Sequence, residues 1–180
     1  MNSLATDHAD LAELLSGLHT ALDAGDTKLS YARLDRFWAR LGVHIRAEHL
    51  ARFPAIVGAL RANHNNQTRD SLSLSQAENV IEQLRADHDF FMHELARAIA
   101  TMRDLAANHE QDAAPVLEKV RARVGAVEER LANHNRIEES QVYLWAAAIL
   151  SEGEQAELAT RLQNELGKLP QRLSANKNQT

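Results

Sequence analysis

Two stretches of the chain place a histidine four residues before a glutamate: His44 and Glu48 in VHIRAEHLARFP, and His134 and Glu138 in LANHNRIEES. Both lie within apolar spacing of three and four, so the side chains of each pair leave one helix face about a turn apart. An imidazole nitrogen and a carboxylate oxygen presented in this way can grip a metal ion. One such pair is ordinarily a solvated surface pair. Two in one chain, with further histidines on apolar rows, ask for a common purpose. The chain has 9 His and no Cys, which excludes disulfides, thiolate metal sites, cysteine nucleophiles and cysteine-ligated iron–sulfur clusters. Any metal must be held by nitrogen and oxygen.

The elements that carry these residues are helical. With 180 residues, 44% hydrophobic, the chain suits one domain with a substantial core. Only 7 Gly and 3 Pro accompany plentiful Ala, Leu, Glu, Arg and Gln, an all-α composition. The first helix is expected from Ser3 or Thr6 to Asp23 or Ala24, with Leu4, Leu11, Leu15, Leu18 and Leu22 on its apolar row and His8 continuing it. The second follows a cap at Asp26 or Thr27, carries Leu34, Phe37, Leu41 and Ile45 inward with His44, and should kink or restart at Pro54. A polar connection over 62–75 includes His64. Ser75 and Glu78 read as a capping box for a third helix through Leu84, His88, Phe91, Leu95, Ile99 and Met102. Asp112 and Pro115 open a fourth, through Val120, Val124, Val127, Leu131 and His134 to about Leu150. Ser151 and Glu154 cap a short fifth helix that stops near Gly167 and Pro170. The domain thus spans 1–168, and 169–180 is expected to be a disordered tail.

Four long helices with short or moderate connections pack most simply as an up-down-up-down four-helix bundle, with the short C-terminal helix as an extra. Heights can then be compared. His8 lies 17 residues before Gly25 and His44 lies 19 after it; His88 and His134 each lie 23 residues from Gln111. Each pair comes level across its own turn, with a glutamate one turn away. His8, His44, Glu48 and His88, His134, Glu138 therefore form two similar half-sites. Such a pair of half-sites suits a dinuclear centre, with Glu48 and Glu138 bridging ions about 3.5 Å apart. Carboxylates with imidazoles favour iron, manganese or zinc over calcium or magnesium.

In these stretches, DHADL, HIRAEHLARFP, DHDFFMHEL and HNRIEES, the chain resembles the hemerythrin-like, or HHE cation-binding, domain. The resemblance covers roughly Leu4 to Leu150 and rests on the ordered set of four motifs. It implies a four-helix bundle around a non-haem di-iron centre, held by His8, His44, Glu48, His88, His134 and Glu138. The chain departs from the family at His49, where a second glutamate is common, and at Arg52, where an apolar residue is common. Oxygen carriers of the family have an HxxxH pair on the third helix; here Met92 occupies the second position and His93 follows by one residue. His93 joins the candidate metal ligands, although five residues from His88 is about 140° around an ideal helix, and a π-bulge would be needed to turn it inward. His49, five residues after His44, suits a supporting role. His19 lies three turns from His8, about 16 Å, and should be remote from the centre.

The leading functional expectation is a cytoplasmic di-iron protein that binds or senses oxygen, peroxide, nitric oxide or iron and redox state. Two other classes stand beside it: a di-iron oxidase or peroxide-detoxifying enzyme, and a structural bundle stabilised by zinc. Manganese is a further candidate occupant. A net charge of −5 with dispersed Lys and Arg argues against nucleic acid as partner. No apolar run reaches the roughly 18 residues a membrane span needs, and MNSLATDHAD lacks the features of a signal peptide. A homodimer is left open.

Overall fold

In the computed structural model, residues 3–62, 72–108 and 112–170 are described. Among them every regular element is helical and no strand occurs. Helix α1 spans Ser3–Asp23, α2 Thr27–Ala47, α3 Phe53–Ala62, α4 Leu74–Ala107, α5 Ala113–Ile137, α6 Tyr143–Ile149 and α7 Glu152–Leu166. Two five-residue π-turns, Glu48–Arg52 and Glu138–Val142, join α2 to α3 and α5 to α6 without a break. The polar stretch with His64, the turn with His109 and the tail beyond Pro170 lie outside the described residues.

The ends follow from local chemistry. Gly25, at φ +69°, takes the left-handed conformation that closes α1 and that a side chain would disfavour. The Asp26 carboxylate then accepts the Leu29 N–H at 2.9 Å and starts α2. Asp112 caps α5 by accepting the Ala114 N–H, and Ser151 with Glu154 forms the expected capping box of α7. Helix α4 starts two residues earlier than the Ser75 box predicts: Ser73 and Gln76 form the box instead. Both pairs have the required spacing, and the earlier start adds Leu74 and Ser75 to the helix. At Pro54 the expected kink is replaced by the π-turn just before it, from which α3 continues directly.

Helix α1 packs on α2 and α4 on α5; α2 also meets α4, α1 meets α5, and α7 lies against α2. The buried apolar side chains fall into two clusters. One contains Leu11 to Leu22 of α1, Leu34 to Ile45 of α2, Phe91 to Met102 of α4 and Leu117 to Leu131 of α5. The other contains Leu4, Val43 to Leu60, Ala77 to Leu84 and Ile137 to Leu166. On each of the four long helices the histidine named above sits where one cluster gives way to the other, so a polar layer divides the core. Among the described residues, no helix is long and apolar enough to cross a membrane.

Candidate metal centre

Two oppositely running apolar rows deliver the four histidines to one level. His8 on α1 and His44 on α2 have ring centroids 4.9 Å apart, and His88 on α4 and His134 on α5 have theirs 4.7 Å apart. All four are buried, and Glu48 and Glu138 are 0% exposed. The glutamates stand between the pairs. Glu138 places Oε1 3.2 Å from His134 Nε2 and Oε2 3.2 Å from His8 Nε2, with His44 Nε2 at 4.0 Å. Glu48 Oε2 lies 3.2 Å from His88 Nε2 and 3.8 Å from His44 Nε2. Donor atoms of Glu48, His88, His134 and Glu138 lie within 4.8 Å of one another, and so do those of His8, His44 and Glu138. Each group could hold a metal ion, and Glu138 belongs to both.

The rings are aimed by partners behind them. His44 Nδ1 donates to the buried Asp7 at 2.8 Å, and His134 Nδ1 to the buried Asp87 at 3.2 Å, since an ionised carboxylate only accepts. Arg40 pairs with Asp7, and Arg130 Nε donates to Asp87 at 2.6 Å. These partners repeat in sequence: each Asp directly precedes the histidine of α1 or α4, and each Arg lies four residues before the histidine of α2 or α5. The full repeat is Asp7-His8, Arg40-His44-Glu48, Asp87-His88, Arg130-His134-Glu138. It was available in the sequence as two DH pairs and two RxxxHxxxE runs, and reading only the HxxxE half of it overlooks the four outer residues. Behind the remaining histidines stand His49, whose Nε2 is 2.9 Å from His88 Nδ1, and Glu139, whose Oε1 accepts from His8 Nδ1 at 2.9 Å.

The π-turns make these last contacts. Phe53 N–H bonds to Glu48 C=O and Tyr143 N–H to Glu138 C=O, five residues back. Each extra residue turns the following chain by about 100° relative to an α-helix, which puts the fifth residue after each glutamate beside the centre. Tyr143 Oη lies 3.1 Å from His8 Nε2 and 3.5 Å from Glu138 Oε2, while the Phe53 ring stacks on His88 at 6.1 Å. The slip needed to turn a residue five positions on toward the centre is therefore found after Glu48 and Glu138, not after His88. Helix α4 runs unbroken past His88, so His93 is exposed and belongs to neither donor group, contrary to its candidacy from sequence. His19 bonds to Glu128 at 2.9 Å, away from the centre. Phe53 borders the centre, whereas Phe37 packs in the apolar cluster.

A metal fits this arrangement on the evidence of the donors themselves. Two nitrogens or oxygens bound to one ion at about 2.1 Å, with angles between octahedral and tetrahedral, stand roughly 3.0–3.4 Å apart. His88 Nε2 and His134 Nε2 are 3.1 Å apart, and three histidine–glutamate contacts are 3.2 Å. Both oxygens of Glu48 and Oε1 of Glu138 are buried with no hydrogen-bond partner, a costly state for a carboxylate unless a cation or proton meets it. Without metal, protons take that place. Burial, then the neighbouring Glu138, pushes the Glu48 carboxyl from 4.5 to about 8. Burial also opposes ionisation of Glu138, but the imidazoles of His134, His44 and His8 outweigh it and hold that carboxyl well below its usual range. His134 is raised despite its burial, by Glu138, Glu48 and Asp87; burial and the charge on His134 lower His88 to about 3.

These shifts set a pH dependence for the metal-free chain. Glu48 binds more protons folded than unfolded, so its contribution favours the fold at low pH and is lost as pH rises from 4.5 through 8. His134 has the same sign. His88 and His49, lowered from 6.5 to about 3 and about 4, favour the fold only above those values and reach full effect by pH 6.5. Below 6.5 the two kinds of group oppose each other; from 6.5 to 8 these histidines no longer counter Glu48. The chelated protein should therefore melt at falling temperatures from pH 6.5 to 8, and Glu48→Gln should flatten the fall. A melting temperature that rises over this window in the chelated wild type would contradict the assignment.

Comparison of the chain with protein families, with characterised proteins and with solved structures finds no match in any of the three.

Proposed function

We propose that the chain is a hemerythrin-like, non-haem di-iron protein, an up-down-up-down four-helix bundle that binds or senses a small oxidant such as oxygen or peroxide, nitric oxide, or the iron and redox state itself. The observation that carries this reading is the doubled donor set: two imidazoles on each side, two buried glutamates between them, and no cysteine. His8 and His44 would hold one ion, His88 and His134 the other, with Glu138 and Glu48 reaching toward both. Six side chains leave two ions short of six-fold coordination. Bound iron supplies one-electron redox chemistry and open coordination positions, which small oxidants require. The protein's part is to orient the four imidazoles through Asp7, Asp87, Glu139 and His49 and to keep the donors in a buried layer between two apolar clusters.

The test is metal analysis of protein from iron-supplemented cells, with absorption spectra taken anaerobically and after oxygen. About two irons per chain and an oxygen-dependent visible band are expected. Zinc alone with no redox response would sink the reading in favour of a structural metal. Rapid turnover of hydrogen peroxide by the iron form would instead make the protein an enzyme.

A further inference from the structure

The two donor groups are unequal: Glu48, His88, His134 and Glu138 make one, and His8, His44 and Glu138 the other. The smaller group has a neighbour of another residue type. Tyr143, brought to the centre by the second π-turn, sets Oη 3.1 Å from His8 Nε2 and 3.5 Å from Glu138 Oε2, two atoms that are themselves 3.2 Å apart. Two edges of this triangle lie within, and the third just beyond, the roughly 3.0–3.4 Å that separates donors sharing one ion. At the equivalent place after Glu48 stands Phe53, whose ring carries no donor atom, and on that side Glu48 is already the fourth donor.

The hydrogen bonds of the metal-free chain show what an ion would displace. His8 Nδ1 donates to Glu139 Oε1, so Nε2 of the neutral ring is bare and accepts from the Tyr143 hydroxyl. An ion held by His8 takes that same lone pair. The phenol then loses its acceptor, and its oxygen is left beside the ion. Burial and the charges of Glu138 and Glu48 push the phenol above its ordinary range, which keeps it protonated while no metal is bound. A bound cation is the largest local charge and reverses that balance. The buried Arg52 guanidinium, 4.0 Å over the Tyr143 ring, acts in the same direction.

We infer that Tyr143 is the fourth ligand of the His8–His44 position, binding ferric iron through its phenolate oxygen and releasing the phenol proton to solvent. The inference rests on the dinuclear iron reading above. Each ion then has four protein donors, and the positions differ in kind: one has a phenolate where the other has a second carboxylate. A hard anionic oxygen favours ferric over ferrous iron, which sets the two ions apart in redox behaviour as well.

The experiment is resonance Raman spectroscopy of the full chain, loaded anaerobically with ferrous iron and then oxidised with ferricyanide, each ferricyanide taking one electron from one iron. Excitation in the visible absorption band should bring out the ring vibrations of an iron-bound phenolate. Tyr143→Phe should lose them. Tyr31→Phe should keep them, since the chain's other tyrosine bonds to Arg103 instead. A tyrosine that only hydrogen-bonds to His8 gives no such vibrations, whatever its removal does to stability. If Tyr143→Phe does not fold, Tyr31→Phe decides alone: vibrations that persist there belong to Tyr143, and vibrations lost there overturn the assignment. Two irons bound in the wild type without phenolate vibrations, or vibrations that survive in Tyr143→Phe, would overturn the inference while leaving the dinuclear centre standing. Failure of the folded wild type to bind two irons would overturn both.

Discussion

Glu138→Gln is expected to strip both ions from the protein. Its carboxylate belongs to both donor groups and reaches histidines of three helices, His8, His44 and His134, while being wholly buried. An amide of the same shape offers one neutral oxygen and turns an N–H toward the second position. The loss should exceed the ~100-fold ceiling usual for outer-shell changes and appear as metal content near zero by elemental analysis, with helical circular dichroism retained. Glu48→Gln should cost mainly the His88–His134 ion, since Glu48 belongs to that donor group alone. Near-equivalence of the two glutamates, which the repeated spacing suggests, is thus replaced by an unequal division. His19→Ala and His93→Ala should keep two ions, because one pairs with Glu128 and the other is exposed. Full metal content in Glu138→Gln would remove the basis for a shared bridging residue.

Chelation should lower the melting temperature by about 10 °C. A ligand that binds only the folded chain stabilises it by about 4 kcal/mol at a thousand times its dissociation constant, and about 1 kcal/mol moves the midpoint by roughly 2–4 °C at this size. Here the folded chain alone assembles the donors, which come from four helices. The sign reverses in a variant that no longer needs the cation: chelated Glu48→Gln should melt above chelated wild type, because two buried oxygens without hydrogen-bond partners are replaced by a neutral amide. Scanning calorimetry of both proteins, with and without chelator, checks the pair. Equal midpoints with and without metal in the wild type, after verified removal, would place binding outside the core.

The six inner residues were legible because each obeys a rule that sequence displays directly. His8 and His88 sit on apolar rows, and the pairs His44 with Glu48 and His134 with Glu138 lie one α-turn apart before any slip occurs. Their levels followed from counting to the turns, and the structure brings His8 to His44 and His88 to His134. Legibility ends where the helix leaves its period. Phe53, Tyr143, His49 and Glu139 owe their places to π-turns, and no residue type in EHLAR or EESQV announces one. His93 would face the centre only if such a slip occurred in α4, which runs unbroken. The outer arginines and aspartates failed to register for a different reason: charged residues on long helices are usually solvated, and only repetition in both halves marks these as partners of buried rings.

The paired π-turns also bear on how such a centre could be transplanted. A π-turn amounts to one inserted residue, and here the insertion falls just after each inner glutamate. A scaffold of ideal α-helices could receive the six donors at their correct spacings, yet its fifth residue after each glutamate would point away, leaving no counterpart of Tyr143 or Phe53 at the ions. The portable unit is accordingly longer than the ligand motif. It is His-x3-Glu together with the five residues that follow, and an engineer who deletes one of those five to restore a regular heptad would retain the ligands and lose their surroundings.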